Sequence, residues 1–281
     1  MNLIRLIVPL DDLVAPVLVG AFDGWIDAAG VASTTAAHLA EGADTVATFD
    51  PDALFDYRSR RPVLDVVDGV LSRLDYPQLE IRRRRVGGRD LLVLHGAEPD
   101  FRWKQLADDV MEFALMHGVV EWVSIGAVPA AVPHTRPVPV FATASDTGLL
   151  RHGETQGPEG LLRVPAAALS VLEMGVSGAG IPTTGFYAQI PPYVGGPYAA
   201  GTIALVEHVA RHLEIELPLG SLMDEANAQR VGLDSAVSAQ DETRDFVTRL
   251  EAQQSEDGIP SGDELASEIE RYLREAGDDP R

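Results

Sequence analysis

Cysteine is absent from the 281 residues, which excludes disulfides, thiolate nucleophiles and cysteine-based metal sites. Lysine occurs once, at Lys104, so arginine carries almost all of the positive charge. That bias decides nothing about function. No apolar run approaches the roughly 20 residues that a membrane-spanning helix requires. The opening MNLIRLIVPLDDL is interrupted by Arg5, Pro9, Asp11 and Asp12, and no small-residue cleavage site follows. It therefore does not read as a secretory signal, and a cytoplasmic setting is expected. Positive charge is scarce overall: the net charge is -21 and the pI is near 4.6. A surface this acidic repels a phosphate backbone, so nucleic acid is not expected as a partner without a local basic patch. The one dense basic run, Arg82 to Arg85, lies in EIRRRRVGGRDLLVLHG, where Gly87-Gly88 marks a hairpin turn. With no aromatics interleaved, it reads as an edge strand whose arginines are solvated or paired to carboxylates.

Recognised catalytic motifs are missing as well. The glycines Gly20, Gly24 and Gly30 fit neither the dinucleotide G-x-G-x-x-G nor the P-loop, and no G-x-S-x-G elbow occurs. His208 and His212 stand four apart without the glutamate of H-E-x-x-H, and they read as surface residues. His117, in the last turn of a predicted helix, reads as a complement to the helix dipole. No metal and no cofactor is expected.

What is present is an ordinary globular composition, 46% hydrophobic and 23% charged. Continuous apolar runs alternate with helical stretches. Strands are expected near residues 17–22, 45–49, 122–127, 138–143 and 184–189, with a hairpin at about 80–95. Helices are expected near 27–41, 103–117, 165–176 and 198–213. This pattern predicts an α/β domain over 1–218, with a mostly parallel sheet covered by helices on both faces. From Ser221 onward the chain holds 16 acidic residues against 6 arginines. Residues 219–281 are therefore expected to form an acidic helical C-terminal extension. One helix is expected from about 234 to 254, and another runs from the capping-box pair Ser261 and Glu264 to Gly277.

The stretch VLVGAFDGWIDAAGVAS joins the first long strand to the first helix. Phe22, Gly24, Trp25 and Asp27 read as a structural elbow, with the Trp25 ring as anchor. Asp27 stands where its carboxylate takes the leading helix amides, so the joint is self-capped rather than a phosphate cradle. The joint still lies at a strand's carboxyl end, where α/β folds place ligands. A cleft of Asp23, Asp27, His134 and Arg136 is accordingly a candidate for acid–base chemistry or polar-substrate binding. His95, Glu98, Gln189 and Tyr193 fall at comparable strand ends. Alternatively, Arg136 pairs with a carboxylate and His134 fixes the loop between the prolines of PHTRP.

The elbow residues Phe22, Gly24, Trp25, Asp27 and Ala28, with VPHTRPVPVFAT and PPYVGGPYAAGTIAL, closely resemble a known family. This is the bacterial and archaeal relatives of the proteasome assembly chaperones, second-subunit type, in their actinobacterial branch. The resemblance implies a fold similar to nucleoside phosphorylases and hydrolases. It also implies homo-oligomers and a chaperone role toward protein complexes, with proteasome subunits as partners, rather than catalysis. Archaeal members carry a hydrophobic–tyrosine–any-residue tail, whereas the last residues here are AGDDPR, and Tyr272 falls inside a predicted helix. The alternative reading is a nucleoside- or phosphate-binding protein, or a phosphorylase-like enzyme, using the strand-end cleft.

Overall fold

The computed structural model describes residues 2–256. In chain order these form β1 (Ile4–Leu6), β2 (Val17–Asp23), a 3-10 turn (Ala28–Gly30), α1 (Val31–Leu39), β3 (Asp44–Phe49) and α2 (Pro51–Leu54). Then come β4 (Val63–Val67), β5 (Val70–Asp75), β6 (Leu79–Val86), β7 (Arg89–Ala97), α3 (Trp103–Met116), β8 (Glu121–Pro129) and β9 (Val140–Ala144). A second 3-10 turn (Thr147–Leu149), α4 (Ala168–Gly178), β10 (Thr183–Ile190), α5 (Ala199–Leu213), α6 (Leu222–Ser238) and α7 (Asp241–Glu256) complete the order. The helix expected over 261–277 lies outside the described residues.

The protein is of the α/β class. Eight strands hydrogen-bond in the order β1-β3-β6-β7-β2-β8-β10-β9, and β4 with β5 form a separate two-stranded ladder. The sheet is mixed. β2 runs parallel to β7 and β8, whereas β1–β3, β3–β6, β6–β7 and β9–β10 are antiparallel. The arginine-rich strand β6 lies between β3 and β7, which corrects its expected edge position. No helix among the described residues is long and apolar enough to cross a membrane.

The chain forms two compact units. The first comprises the residues up to Trp25, Ala36–Ser124 and Ala166–Thr183. Its α3 buries Leu106, Ala107, Val110, Phe113 and Ala114 on one stripe, as the three-and-four spacing predicts. Gly118 then takes φ 64°, and the Val119 N–H reaches back to the Ala114 carbonyl at 2.9 Å, closing the helix in a Schellman motif. His117 packs tilted against Phe113 at 4.6 Å, and burial lowers its pKa at the helix end. Fully buried Trp122 donates to Ser124 Oγ at 2.7 Å, and Ser124 donates to Glu173 of α4 at 2.8 Å.

The arginines of β6 all find acceptors within this unit. Asp90 is buried and accepts from Arg83 Nε at 2.8 Å, Arg85 at 3.0 Å and the Val14 N–H at 2.6 Å. Burial alone raises a carboxyl pKa, but these three donors outweigh it and hold Asp90 below the ordinary value. Arg82 pairs with Glu80 at 2.7 Å, and Arg84 donates to the Leu39 carbonyl at 3.3 Å.

The second unit comprises Ile26–Thr35, Ile125–Pro165 and the described residues from Thr184 onward. Its α5 buries Leu205, Val206, Val209 and Leu213, together with His212. His212, expected at the surface, is instead paired with buried Glu154 at 2.7 Å. The pattern expected as one helix over 234–254 is two helices, broken at Ala239 and Gln240 between α6 and α7.

Candidate functional site

In the first unit, β2 delivers Asp23 into register with Ala97, so Glu98 follows beside it on the neighbouring strand. Asp23 Oδ1 accepts from Arg60 at 2.7 Å and from the Glu98 N–H at 3.3 Å. Glu98 in turn uses both carboxylate oxygens. Oε2 accepts the Trp25 N–H at 3.0 Å, and Oε1 accepts the N–H of Ala168, the first residue of α4, at 2.8 Å. A Cβ on Gly24 would stand 2.4 Å from Glu98 Oε2, so only glycine admits this carboxylate so close to the turn. Phe22 is buried, while Trp25, expected to anchor the turn through its ring, engages Glu98 through its backbone and remains partly exposed.

In the second unit, the Ala127 N–H donates to the Ile26 carbonyl at 2.7 Å, fixing the entry to Asp27. Ala29 and Gly30 then adopt φ of 52° and 64°, and regular helix starts at Val31, four residues later than expected. Asp27 caps it from a distance. Its Oδ1 reaches over the 3-10 turn to accept from Ala32 N–H at 2.7 Å and Ser33 N–H at 3.1 Å. These are the amides that a bound phosphate would need, and a carboxylate already holds them.

His134 is buried in the same unit, and both of its ring nitrogens are engaged. Tyr193 Oη accepts the His134 backbone N–H at 2.8 Å and lies 2.8 Å from Nδ1. One phenol oxygen thus bridges the backbone and the ring of the same residue. The other ring nitrogen, Nε2, lies 3.1 Å from Asp234 Oδ1 of α6. Burial pushes the Tyr193 phenol up, which keeps it a donor. The next residue, Thr135, donates to Glu251 of α7. Gln229 of α6 accepts the Ala199 N–H at 2.8 Å and donates to the Pro197 carbonyl at 2.8 Å, supplying the cap that Tyr198 does not give α5. The loops VPHTRPVP and PPYVGGPY are thus fastened to α6 and α7 by side chains.

Arg136, on the same loop, is exposed. With His134 it lines a cavity of about 570 Å³, alongside Tyr198, His208, Met223 and Arg230. Burial raises the Tyr198 phenol to about 12 and lowers the His208 pKa, so both are neutral near pH 7. Arg230 pairs with Asp234 at 3.3 Å.

Of the expected cleft residues, His134 and Arg136 therefore share one cavity. Asp27 belongs to the same unit but is not part of that lining, and Asp23 belongs to the other unit. Among the described residues, no group of three or more acidic or histidine side chains is placed to hold a metal ion. Glu98 and Tyr193 were visible as strand-end polar residues, but their bonding was not. Gln229, Asp234 and Glu251 sit in acidic helical sequence that carries no local signal of a distant partner.

This is an α/β protein whose strand-end joints are held by side-chain hydrogen bonds from Glu98, Asp27 and Tyr193. The sequence matches the model of the PAC2 family over residues 21–237, and the protein belongs to that family. No curated protein matches it. Among solved structures, a Mycobacterium tuberculosis protein of unknown function is 31% identical, with 96% of each chain covered and a TM-score of 0.87. A Mycobacterium tuberculosis proteasome-assembly chaperone homologue is 34% identical, covering 82% of this chain and 99% of its own, with a TM-score of 0.75. A PAC2 family protein from Streptomyces avermitilis is 33% identical, covering 83% and 99%, with a TM-score of 0.74.

Proposed function

We propose that the protein is a non-enzymatic interaction module that assembles with copies of itself and binds proteasome subunits in the manner of an assembly chaperone. The observation carrying this reading is membership of the PAC2 family, together with 34% identity to a chain described as a proteasome-assembly chaperone homologue. Side-chain occupancy supports the non-enzymatic part. Asp27 holds the leading amides of α1, and both ring nitrogens of His134 fasten a loop. The test is a pull-down with purified proteasome α-subunits and ring intermediates. Retention of an α-subunit is the expected result, and a clean negative against every proteasome component removes the proteasome from the proposal.

One observation favours a second reading, the cavity shared by His134 and Arg136. An exposed guanidinium at its wall suits a phosphate- or nucleoside-type ligand. A thermal-shift screen with nucleosides, nucleotides and inorganic phosphate then raises the melting temperature of the wild type and not of Arg136→Ala. If no compound shifts it, and His134→Ala changes no assay, this reading fails.

A further inference from the structure

The ladder of β4 and β5 differs from every other strand pair described. All five residues of β4 and the first five of β5 are exposed. Among the described residues, neither strand pairs with anything but the other. A lone two-stranded hairpin is marginal in water, because three strands or a covering layer are needed to stabilise the pairing. Here the hairpin is nevertheless regular. Asp68 and Gly69 take φ of 51° and 80°, the left-handed pair that a two-residue type I′ turn requires. At its base, Tyr76 packs edge-on against Tyr57 at 5.1 Å, and the Tyr57 hydroxyl donates to Asp52 at 2.6 Å.

The register sorts its side chains. Leu64 lies opposite Leu74, and a bulge brings Val66 opposite Leu71, so these four share one face without a charge. Asp65 and Arg73 lie opposite each other on the reverse face, where Arg73 also pairs with Asp75 at 2.6 Å. Val63, Leu64, Val66, Val67, Val70, Leu71 and Leu74 are each between 48% and 72% exposed. Leu64, Val66, Leu71 and Leu74 share one face, and at roughly 100 Å² each they present on the order of 400 Å² there, as much as the largest apolar patch of a typical monomer. A standard interface takes about 800 Å² from each partner, so this face alone supplies about half of one side.

We infer that the β4–β5 hairpin is a self-assembly arm, its Leu64–Val66–Leu71–Leu74 face covered by a second copy of this chain. Charge selects that occupant. A chain of net charge -21 meets its own copy favourably only through surface that brings no carboxylates together, and this face has none. A self-complementary apolar face also satisfies the two-fold geometry that most soluble oligomers use. A lipid surface does not fit. The arm carries Asp65, Asp68 and Asp75 against a single arginine, Arg73, so anionic headgroups are repelled.

The inference rests on the self-assembling part of the function proposed above, and the experiment separates the two. Light-scattering mass after gel filtration is measured at micromolar concentration for the full chain, for Leu71→Glu, for the milder Val66→Thr/Leu71→Thr pair, and for Met174→Glu. Met174 is an exposed apolar residue on α4, outside the arm. Circular dichroism and melting temperature confirm that each variant is folded. The expected result is a wild type at two or more times 30.1 kDa, Leu71→Glu at 30.1 kDa, the threonine pair weakened at least tenfold in assembly, and Met174→Glu unchanged. If Leu71→Glu and the threonine pair both keep the wild-type mass, the arm is overturned while self-assembly stands. If Met174→Glu dissociates as well, the assignment to the arm is likewise overturned. A wild type at 30.1 kDa overturns both ideas and gives the face to another occupant, protein or lipid.

Discussion

Two β-hairpins of the first unit sit side by side in sequence and meet opposite fates. The β6–β7 hairpin turns at Gly87 and Gly88, both at positive φ, and is absorbed into the eight-stranded sheet. There Leu79, Ile81 and Leu91 to Leu94 are buried, and four consecutive arginines find acceptors. The β4–β5 hairpin turns at Asp68 and Gly69, is richer in aliphatic residues, and has its ladder uncovered. Turn chemistry and hydrophobicity make both hairpins. Which of them becomes core is decided by what lies alongside. A strand dense in arginine is internal because its carboxylates are supplied, and a strand dense in valine is peripheral because, among the described residues, no covering layer is.

This contrast can be broken at several points. The largest effect is expected at Asp90. Asp90→Asn leaves Arg83 and Arg85 without their buried anion, and urea unfolding should show a loss of about 4 kcal/mol. Its pH dependence has a defined sign. Because the native carboxyl lies below its ordinary value, the stabilisation is complete above about pH 4 and is lost as pH falls through the native pKa. The gap between wild type and Asp90→Asn should therefore close only below about pH 4. Next, Ile81→Ala opens a cavity in the buried hairpin and should cost about 3 kcal/mol in the same measurement. The smallest effect belongs to Leu71→Ala in the exposed hairpin. It should change the stability of the isolated chain by less than about 0.5 kcal/mol. A cost for Leu71→Ala comparable to that of Ile81→Ala would end the distinction between the two hairpins.

Much of the fold was legible where the apolar period was strong. The strands β2, β7 and β10 and the helices α3 and α5 follow runs or stripes that the sequence displays directly. The β4–β5 hairpin is hard to read although Asp68-Gly69 is a strong turn signal, because its apolar residues at 63, 64, 66, 67, 70, 71 and 74 follow neither strand alternation nor a buried run. The start of α6 is hidden for a related reason, since its mostly exposed surface leaves only Leu222 and Val237 buried. At the site, the Asp27 cap could be read because its partners lie five and six residues away. The Tyr193–His134–Asp234 chain could not, as it joins residues 59 and 100 positions apart, and spacing carries no trace of such a meeting. Arg136 was placed correctly on a loop but for a cleft of four, of which the cavity gathers two.

Glu98 stands some 70 residues from each of the two amides it holds, Trp25 behind it and Ala168 ahead. Each grip closes a long stretch of chain, and the one on Trp25 spans nearly the same distance in sequence as the β2–β7 ladder, so the two are one closure. The joint after β2 is therefore tied through a single carboxylate to the start of α4, far along the chain.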